Sequence, residues 1–294
     1  MSAPLITIVV PCGDRADLLA GALDSVFAQS IADWELLVVC DTRPPNLPRN
    51  ARVQCVAGVK TLNAPAVAFL EPGDTWEPEK LARSLDALAQ APDAALVAGD
   101  YRMVDAARQR ATTMKQFLLH SMLDWWRTDP LAAAAIPCDA IAGDIAQIAR
   151  PDLVLSMAIA GFQWIHSSSA VIRREALLSV GPLDGSLRRA DLWLQLNRAG
   201  RIVYLDEVLA DCVVTGETSA TGYREAAARL RLLDDIEAWG GLKPAQRKLL
   251  QNRRAAQHRI CAGAAFRGFA TCWRALPHTI AGLRLTAARL SRSS

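Results

Sequence analysis

The first hundred residues are punctuated by short, unbroken apolar runs, each ended by a turn former. The run LITIVV at 5–10 closes in Pro11-Cys12-Gly13 and lacks the alternation of a half-exposed strand, so it predicts a strand buried on both faces. Similar runs follow at 35–40, stopping at Asp41, and at 52–56. Two more lie at 66–70, stopping at Glu71-Pro72-Gly73-Asp74, and at 95–98, ended by Gly99-Asp100. Between the first two, Asp14 reads as an N-cap, and Leu19, Leu23 and Val26 recur at helical spacing up to Gln29. Pro78, then Leu81, Leu85 and Leu88, mark a further helix that stops before Pro92. A strand-helix-strand crossover forces parallel pairing. Only nine residues separate the third and fourth runs, too few for a packed crossover helix. The alternation predicts an α/β fold with an open, Rossmann-like, mostly parallel sheet flanked by helices.

Beyond residue 100 the periodicity weakens. Residues 102–160 read as helical or irregular, with Trp125-Trp126 expected in a core. The charge-free stretch 153–172 has the length of a membrane span, but it carries Gln163, His166 and three serines at 167–169, whose burial in lipid is costly. It therefore predicts a buried helix and then a strand, with His166 and the serines hydrogen-bonded at the strand's start. A short helix at 174–180, a helix at 190–199 and a strand at 201–205 follow, and from Tyr223 onward helical periodicity with breaks at Gly240-Gly241 and Pro277 predicts three helices.

The 294 residues are 51% hydrophobic and 21% charged, which excludes collagen, coiled coil and low-complexity disorder. The net charge of +3 hides a division: residues 238–294 hold eleven Lys or Arg and no acid, leaving 22 basic against 30 acidic residues before them, or −8. An acidic body with a basic tail fits a tail that faces an anionic partner. Arg253, Arg254, Arg259, Arg267 and Arg274, interspersed with Ile260, Phe266, Phe269 and Trp273, favour an anionic membrane surface. No nucleic-acid module is present, so no nucleic acid is expected. Seven cysteines without a C-x-x-C pair indicate neither a disulfide framework nor a structural zinc site. With no signal-peptide pattern at the start, the expected location is cytoplasmic, peripheral at the inner membrane face.

Candidate chemistry gathers where the strands end. Parallel strands present their carboxyl ends along one edge, where ligands bind in open α/β sheets. Here Asp14, Asp41, Glu71 with Asp74, and Asp100 follow apolar runs. Such carboxylates repel one another unless a divalent cation sits among them, and oxygen ligands favour magnesium or manganese. Phosphate-cradling, nucleophile-elbow and zinc-protease motifs are absent from the sequence.

The order of these motifs resembles the family 2 glycosyltransferases, which have a GT-A fold, over residues 4 to about 220. The opening strand with Pro11, Asp14 and Arg15 is similar to that family's "P-x-Y-N-R" turn. LDSVFAQS at 23–30 followed by DWEL at 33–36 resembles "L-x-S-V-L-x-Q-T…W-E-L". VVCD at 38–41 matches "V-V-D-D" with one acid replaced, and VAFLEPGDTW at 67–76 resembles "I-A-F-L-D-x-D-D-x-W". The stretches at 170–176, 181–184, 191–194 and 203–210 correspond to the family's acceptor-side half.

The resemblance implies an inverting, metal-assisted transfer of a sugar from a nucleoside diphosphate sugar to a glycan or lipid-linked acceptor, a cell-surface or exopolysaccharide precursor. It implies that Pro11, Asp14 and Asp41 line the nucleotide-sugar site, that Glu71 and Asp74 hold the divalent cation, and that Asp191 is the catalytic base. On this reading residues 1–221 form the glycosyltransferase-like domain and 222–294 a basic helical region. The sequence departs from the family at four places. Gly73 replaces the second acid of D-x-D and Glu71 the first, and the helix after the third strand is reduced to Leu62-Asn63-Ala64. A single Asp191 stands where "E-D" precedes "D-L-W-L", and Thr215 takes the place of the late His. These departures motivate an alternative: a catalytically inactive domain of the same fold that binds a nucleotide sugar, a glycan or a partner transferase.

Overall fold

The computed structural model describes residues 4–12, 15–44, 47–59, 61–105, 111–181, 189–213 and 223–266, with the side chains of 16, 189–191, 223–225 and 263–266 outside that description. Its strands are β1 (Ile6–Pro11), β2 (Trp34–Val39), β3 (Val53–Val56), β4 (Ala66–Phe69), β5 (Thr75–Trp76), β6 (Ala94–Val104), β7 (Ala111–Thr113), β8 (Ala170–Arg173) and β9 (Arg201–Val213). The early helices are α1 (Leu19–Phe27), α2 (Lys80–Gln90) and α3 (Met114–Phe117). Then come α4 (Leu123–Thr128), α5 (Pro130–Ala135), α6 (Cys138–Gly143), α7 (Pro151–Ala160), α8 (Arg174–Ser179) and α9 (Arg189–Ala199). The last two described helices are α10 (Tyr223–Trp239) and α11 (Pro244–Phe266).

Among the described residues one sheet joins the nine strands, in the order β3-β2-β1-β4-β8-β6-β9-β5 with β7 on β6. The pairings β1–β2, β2–β3, β1–β4 and β6–β9 are parallel, whereas β8 is antiparallel to both its neighbours. Six strands therefore run one way, with β5, β7 and β8 against them. This is the mostly parallel α/β sheet that the apolar runs predict. Residues 6–10 of β1 are buried on both faces, as the unbroken run requires. Thr7 is tolerated among them because its Oγ1 donates to Glu35 Oε1 at 2.6 Å. No helix occurs among the described residues of the 57–65 connection, in keeping with its length. An open groove remains there, lined by Glu35, Gln54, Val56 and Asn63 among others.

Two strands run further than their apolar cores. β6 continues through Asp100 to Val104, so Asp100 is not a strand-end acid on the rim. It is buried inside the strand, where it accepts the amides of Tyr101 at 2.9 Å and Lys115 at 3.1 Å. The pairing of β6 with β9 shifts register on either side of Asp100. A Cβ at Gly99 would stand 2.8 Å from Leu209 Cδ1, so a larger residue there would push the Leu209 side chain aside. The extension is polar because Arg102 is ion-paired to Asp211 across the ladder and to Glu77.

The chain divides into two compact units. One comprises residues 1–124, 139–154 and 163–214 and holds the whole sheet; the other comprises 125–138, 155–162 and 215–294. In the second, Ala226 and Leu230 of α10 pack with Cys261 of α11. There Arg229, half-buried, donates to the carbonyls of Ala158 and Ile159. Trp126 is fully buried, as expected for a core residue, but Trp125 is 47% exposed. Among the described residues no helix is long and apolar enough to cross a membrane.

Candidate functional site

The site lies where the parallel strands end. The ladder continues past β1, β2 and β4 through Cys12 N to Val39 O, Cys40 N to Val56 O, and Leu70 N to Val9 O. Pro11, Asp41 and Glu71 consequently leave the sheet at one edge. Pro11 and Asp41 are exposed and Glu71 is half-buried. With β1 between β2 and β4, Asp41 and Glu71 leave the sheet two strands apart. Asp14 lies outside the described residues. Asp191 sits in the first turn of α9, and its side chain lies outside the description.

The Glu71–Asp74 turn carries most of the local structure. Glu71 faces outward to Arg15, whose guanidinium approaches Oε2 at 3.4 Å. Gly73 has φ +95°, a conformation that L side chains rarely adopt, and its amide donates to Leu18 O at 3.1 Å. A backbone bent this way accounts for glycine at the position where the resemblance expects an acid. Asp74 points inward and is almost wholly buried. Its Oδ2 accepts from Ser168 Oγ at 2.6 Å, and its Oδ1 accepts the Val213 amide at 2.8 Å. Burial pushes the Asp74 carboxyl above the usual carboxylate range, opposed by nearby His166 and by these hydrogen bonds.

The other half of the site comes from the turn before β8. Because β8 runs antiparallel to β4, the residues entering β8 lie beside those leaving β4. His166 caps a 3-10 turn, Ser167–Ser169, and its Nδ1 lies 3.5 Å from Asp74 Oδ2 and 3.3 Å from the Ser168 amide. Ser168 ties the turn to the rim: its Oγ accepts the Glu71 amide at 3.0 Å, and its carbonyl accepts Trp76 Nε1 at 2.7 Å. The Tyr101 ring packs on His166 with centroids 5.5 Å apart. Lys80, at the start of α2, is fully buried, with Nζ 3.4 Å from Ser169 O and 5.0 Å from the Trp76 ring centre. Burial pulls its amine down to about 7.

Cys212 completes the cluster from β9, next to the Val213 amide that Asp74 accepts. It is fully buried, and its thiol is raised well above the ordinary value by burial and then by Asp74. Among the described residues, Asp74, His166 and Cys212 form a group able to hold a metal ion, with one ligand atom of each within 4.8 Å of the others. Sequence reasoning found Asp74 but missed its partners. His166 with its serines reads as a hydrogen-bonded strand start, which it is, and Cys212 carries no spacing signal. Only the antiparallel pairings of β8 and β5 bring them to Asp74.

No protein-family model matches the sequence, and a search of curated proteins gives no match. Solved structures do match. The chain is similar to the mannosyltransferase PcManGT from Pyrobaculum calidifontis, solved in complex with GDP-Man and Mn2+. Identity is 16%, the match covers 100% of this chain and 80% of that one, and the TM-score is 0.50. It is also similar to residues 1–349 of TarS from S. aureus, solved with UDP-GlcNAc, at 13% identity, with 90% of this chain and 72% of that one covered and a TM-score of 0.51. At these identities the likeness shows the fold, which is that of a GT-A-like glycosyltransferase.

Proposed function

We propose that the protein is an inverting glycosyltransferase of the family 2 type. It would move a sugar from a nucleoside diphosphate sugar to a glycan or lipid-linked precursor of a cell-surface or exopolysaccharide polymer. The observation that carries this reading is the Glu71–Asp74 turn at the carboxyl edge of β4, on the same sheet edge as Pro11 and Asp41, on a fold shared with a GDP-Man and a UDP-GlcNAc complex. In this reading Pro11, Asp14 and Asp41 line the nucleotide, with Asp41 against the base. Asp191, at the start of α9, accepts the proton of the attacking hydroxyl. Glu71 and Asp74 are the residues proposed to hold a divalent cation, magnesium or manganese, which when bound offsets charge on the departing diphosphate. Arg15, beside Glu71, supplies a second positive group at the rim. Residues 1–221 constitute the transferase domain, and 222–294 a basic region directed at the inner, anionic face of a membrane.

The test is release of nucleoside diphosphate from a panel of UDP, GDP and dTDP sugars with manganese present. Turnover is expected with at least one donor, and Asp191→Asn is expected to lower kcat by roughly 10²–10⁴-fold with little change in KM. Unchanged turnover in that variant removes Asp191 from the reaction. A second reading is favoured by one observation: Gly73, with its positive φ, replaces an acid of the cation-binding pair. In that reading the domain binds a nucleotide sugar, a glycan or a partner transferase without turnover. Saturable nucleotide binding with silence across the whole panel selects it.

A further inference from the structure

Behind the rim, three side chains of different chemistry converge from separate parts of the sheet. Asp74 comes from the turn into β5, His166 from the turn into β8, and Cys212 from β9, and their ligand atoms lie within 4.8 Å of one another. Zinc takes bonds of about 2.0–2.3 Å, so tetrahedral ligand pairs sit about 3.3–3.7 Å apart. The edge from His166 Nδ1 to Asp74 Oδ2, at 3.5 Å, already has that length. Closing the others needs no more than about 1.5 Å of side-chain adjustment. The carboxylate is held by donors that fix its orientation, Ser168 Oγ on Oδ2 and the Val213 amide on Oδ1. His166, with 22% of its side chain exposed, gives the cluster a path to solvent.

We propose that Asp74, His166 and Cys212 form a binding site for a zinc-class transition metal, three protein ligands with a fourth position left for water. The donor set decides the class. One sulfur, one imidazole nitrogen and one carboxylate oxygen suit zinc or cobalt, whereas magnesium and manganese favour oxygen donors and more of them. Entry of the ion displaces the Cys212 thiol proton to solvent, and the bound thiolate supplies the negative charge that a buried cation requires. Without an ion the Asp74 carboxylate and the His166 ring stand 3.5 Å apart beside a buried thiol. The site shares Asp74 with the transferase reading and otherwise stands apart from it, since binding needs no nucleotide.

The experiment uses the full-length protein, stripped with a chelator and titrated with Co2+ as a spectroscopic substitute for zinc. One equivalent is expected to bind with a thiolate-to-cobalt charge-transfer band, to be displaced by zinc, and to resist equal concentrations of Mg2+ or Mn2+. Cys212→Ser is expected to abolish the band, and His166→Gln, at a partly exposed position, to weaken cobalt binding by at least about tenfold. Circular dichroism of both variants checks that they fold; if Cys212→Ser does not, His166→Gln carries the test. The proposal is overturned if no stoichiometric cobalt binds, if Mn2+ displaces it, or if the band survives Cys212→Ser and disappears in Cys40→Ser. UDP and GDP binding, measured separately by calorimetry with Mg2+ or Mn2+ present and zinc and cobalt absent, reports on the transferase reading alone.

Discussion

A single residue, Lys80, shows how far this interior departs from a plain hydrocarbon core. It is fully buried, and its ammonium donates to a carbonyl, Ser169 O, so burial dominates and lowers its amine from 10.5 to about 7. The sign follows from proton counting. Between those two values the unfolded chain binds a proton that the folded protein does not, so stability rises with pH across that window. The full span corresponds to on the order of 5 kcal/mol. Lys80→Met in metal-free protein is therefore expected to raise the melting temperature most at pH 7 and below, with the advantage shrinking toward pH 10. A difference that stays constant from pH 7 to 10 refutes the assignment. At the same scale, Ser168 has the largest role in positioning the site, because its hydroxyl meets both the Glu71 amide and the Asp74 carboxylate.

Among the elements, the crossing from α9 into β9 depends on the absence of a side chain at Gly200. A Cβ there would lie 2.9 Å from Asp93 O and 3.0 Å from Ala95 N, both backbone atoms in or beside β6, which cannot move without disturbing the ladder. Gly200→Ala is expected to cost about 1–3 kcal/mol. Gly143, at the end of α6, has open space around its Cβ position, and Gly143→Ala is expected to be neutral or stabilising by up to about 1 kcal/mol. Urea unfolding of the two variants measures the contrast, and equal losses would count against the steric account. The elements also mark what the sequence makes legible. β1, β2 and β4 announce themselves because both faces are buried and every residue must be apolar or satisfied. The polar ends of β6 and β9 do not, because Arg102, Asp211 and Glu77 satisfy one another only once the strands have paired. The two-residue β5 is too short to show a period. For the same reason Glu71 and Asp74 can be read from the chain, whereas the partners of Asp74 arrive through antiparallel pairings that no local pattern records.

For the molecule as a whole, charge is the property that a residue count describes least well. Eleven cations after residue 237 read as one basic surface, yet two of the described ones are ion-paired within the second unit. Arg253 lies 2.7 Å from Asp129 with both side chains about four-fifths buried, and Arg254 pairs with Asp234 and Glu237. The Arg253–Asp129 pair is sheltered, so removing one partner leaves a mostly buried charge uncompensated, whereas the acids paired with Arg254 are exposed. Membrane attraction, by contrast, needs cations free to approach lipid headgroups, worth about 1 kcal/mol each near an anionic surface and screened within a Debye length. Arg267, Arg274, Arg284, Arg289 and Arg292, outside the described residues, are the cations to which the proposed membrane role assigns this task. Full-length protein is accordingly expected to float with anionic vesicles at low salt, to lose that retention as salt rises, and to ignore neutral vesicles. Replacing those five arginines by Gln should abolish flotation. Arg253→Ala should instead lower the melting temperature and leave flotation within about twofold, since its charge is spent on Asp129. If Arg253→Ala removes flotation as completely as the fivefold change, the two sets of cations act on one surface and this division between structural and lipid-facing charge is wrong.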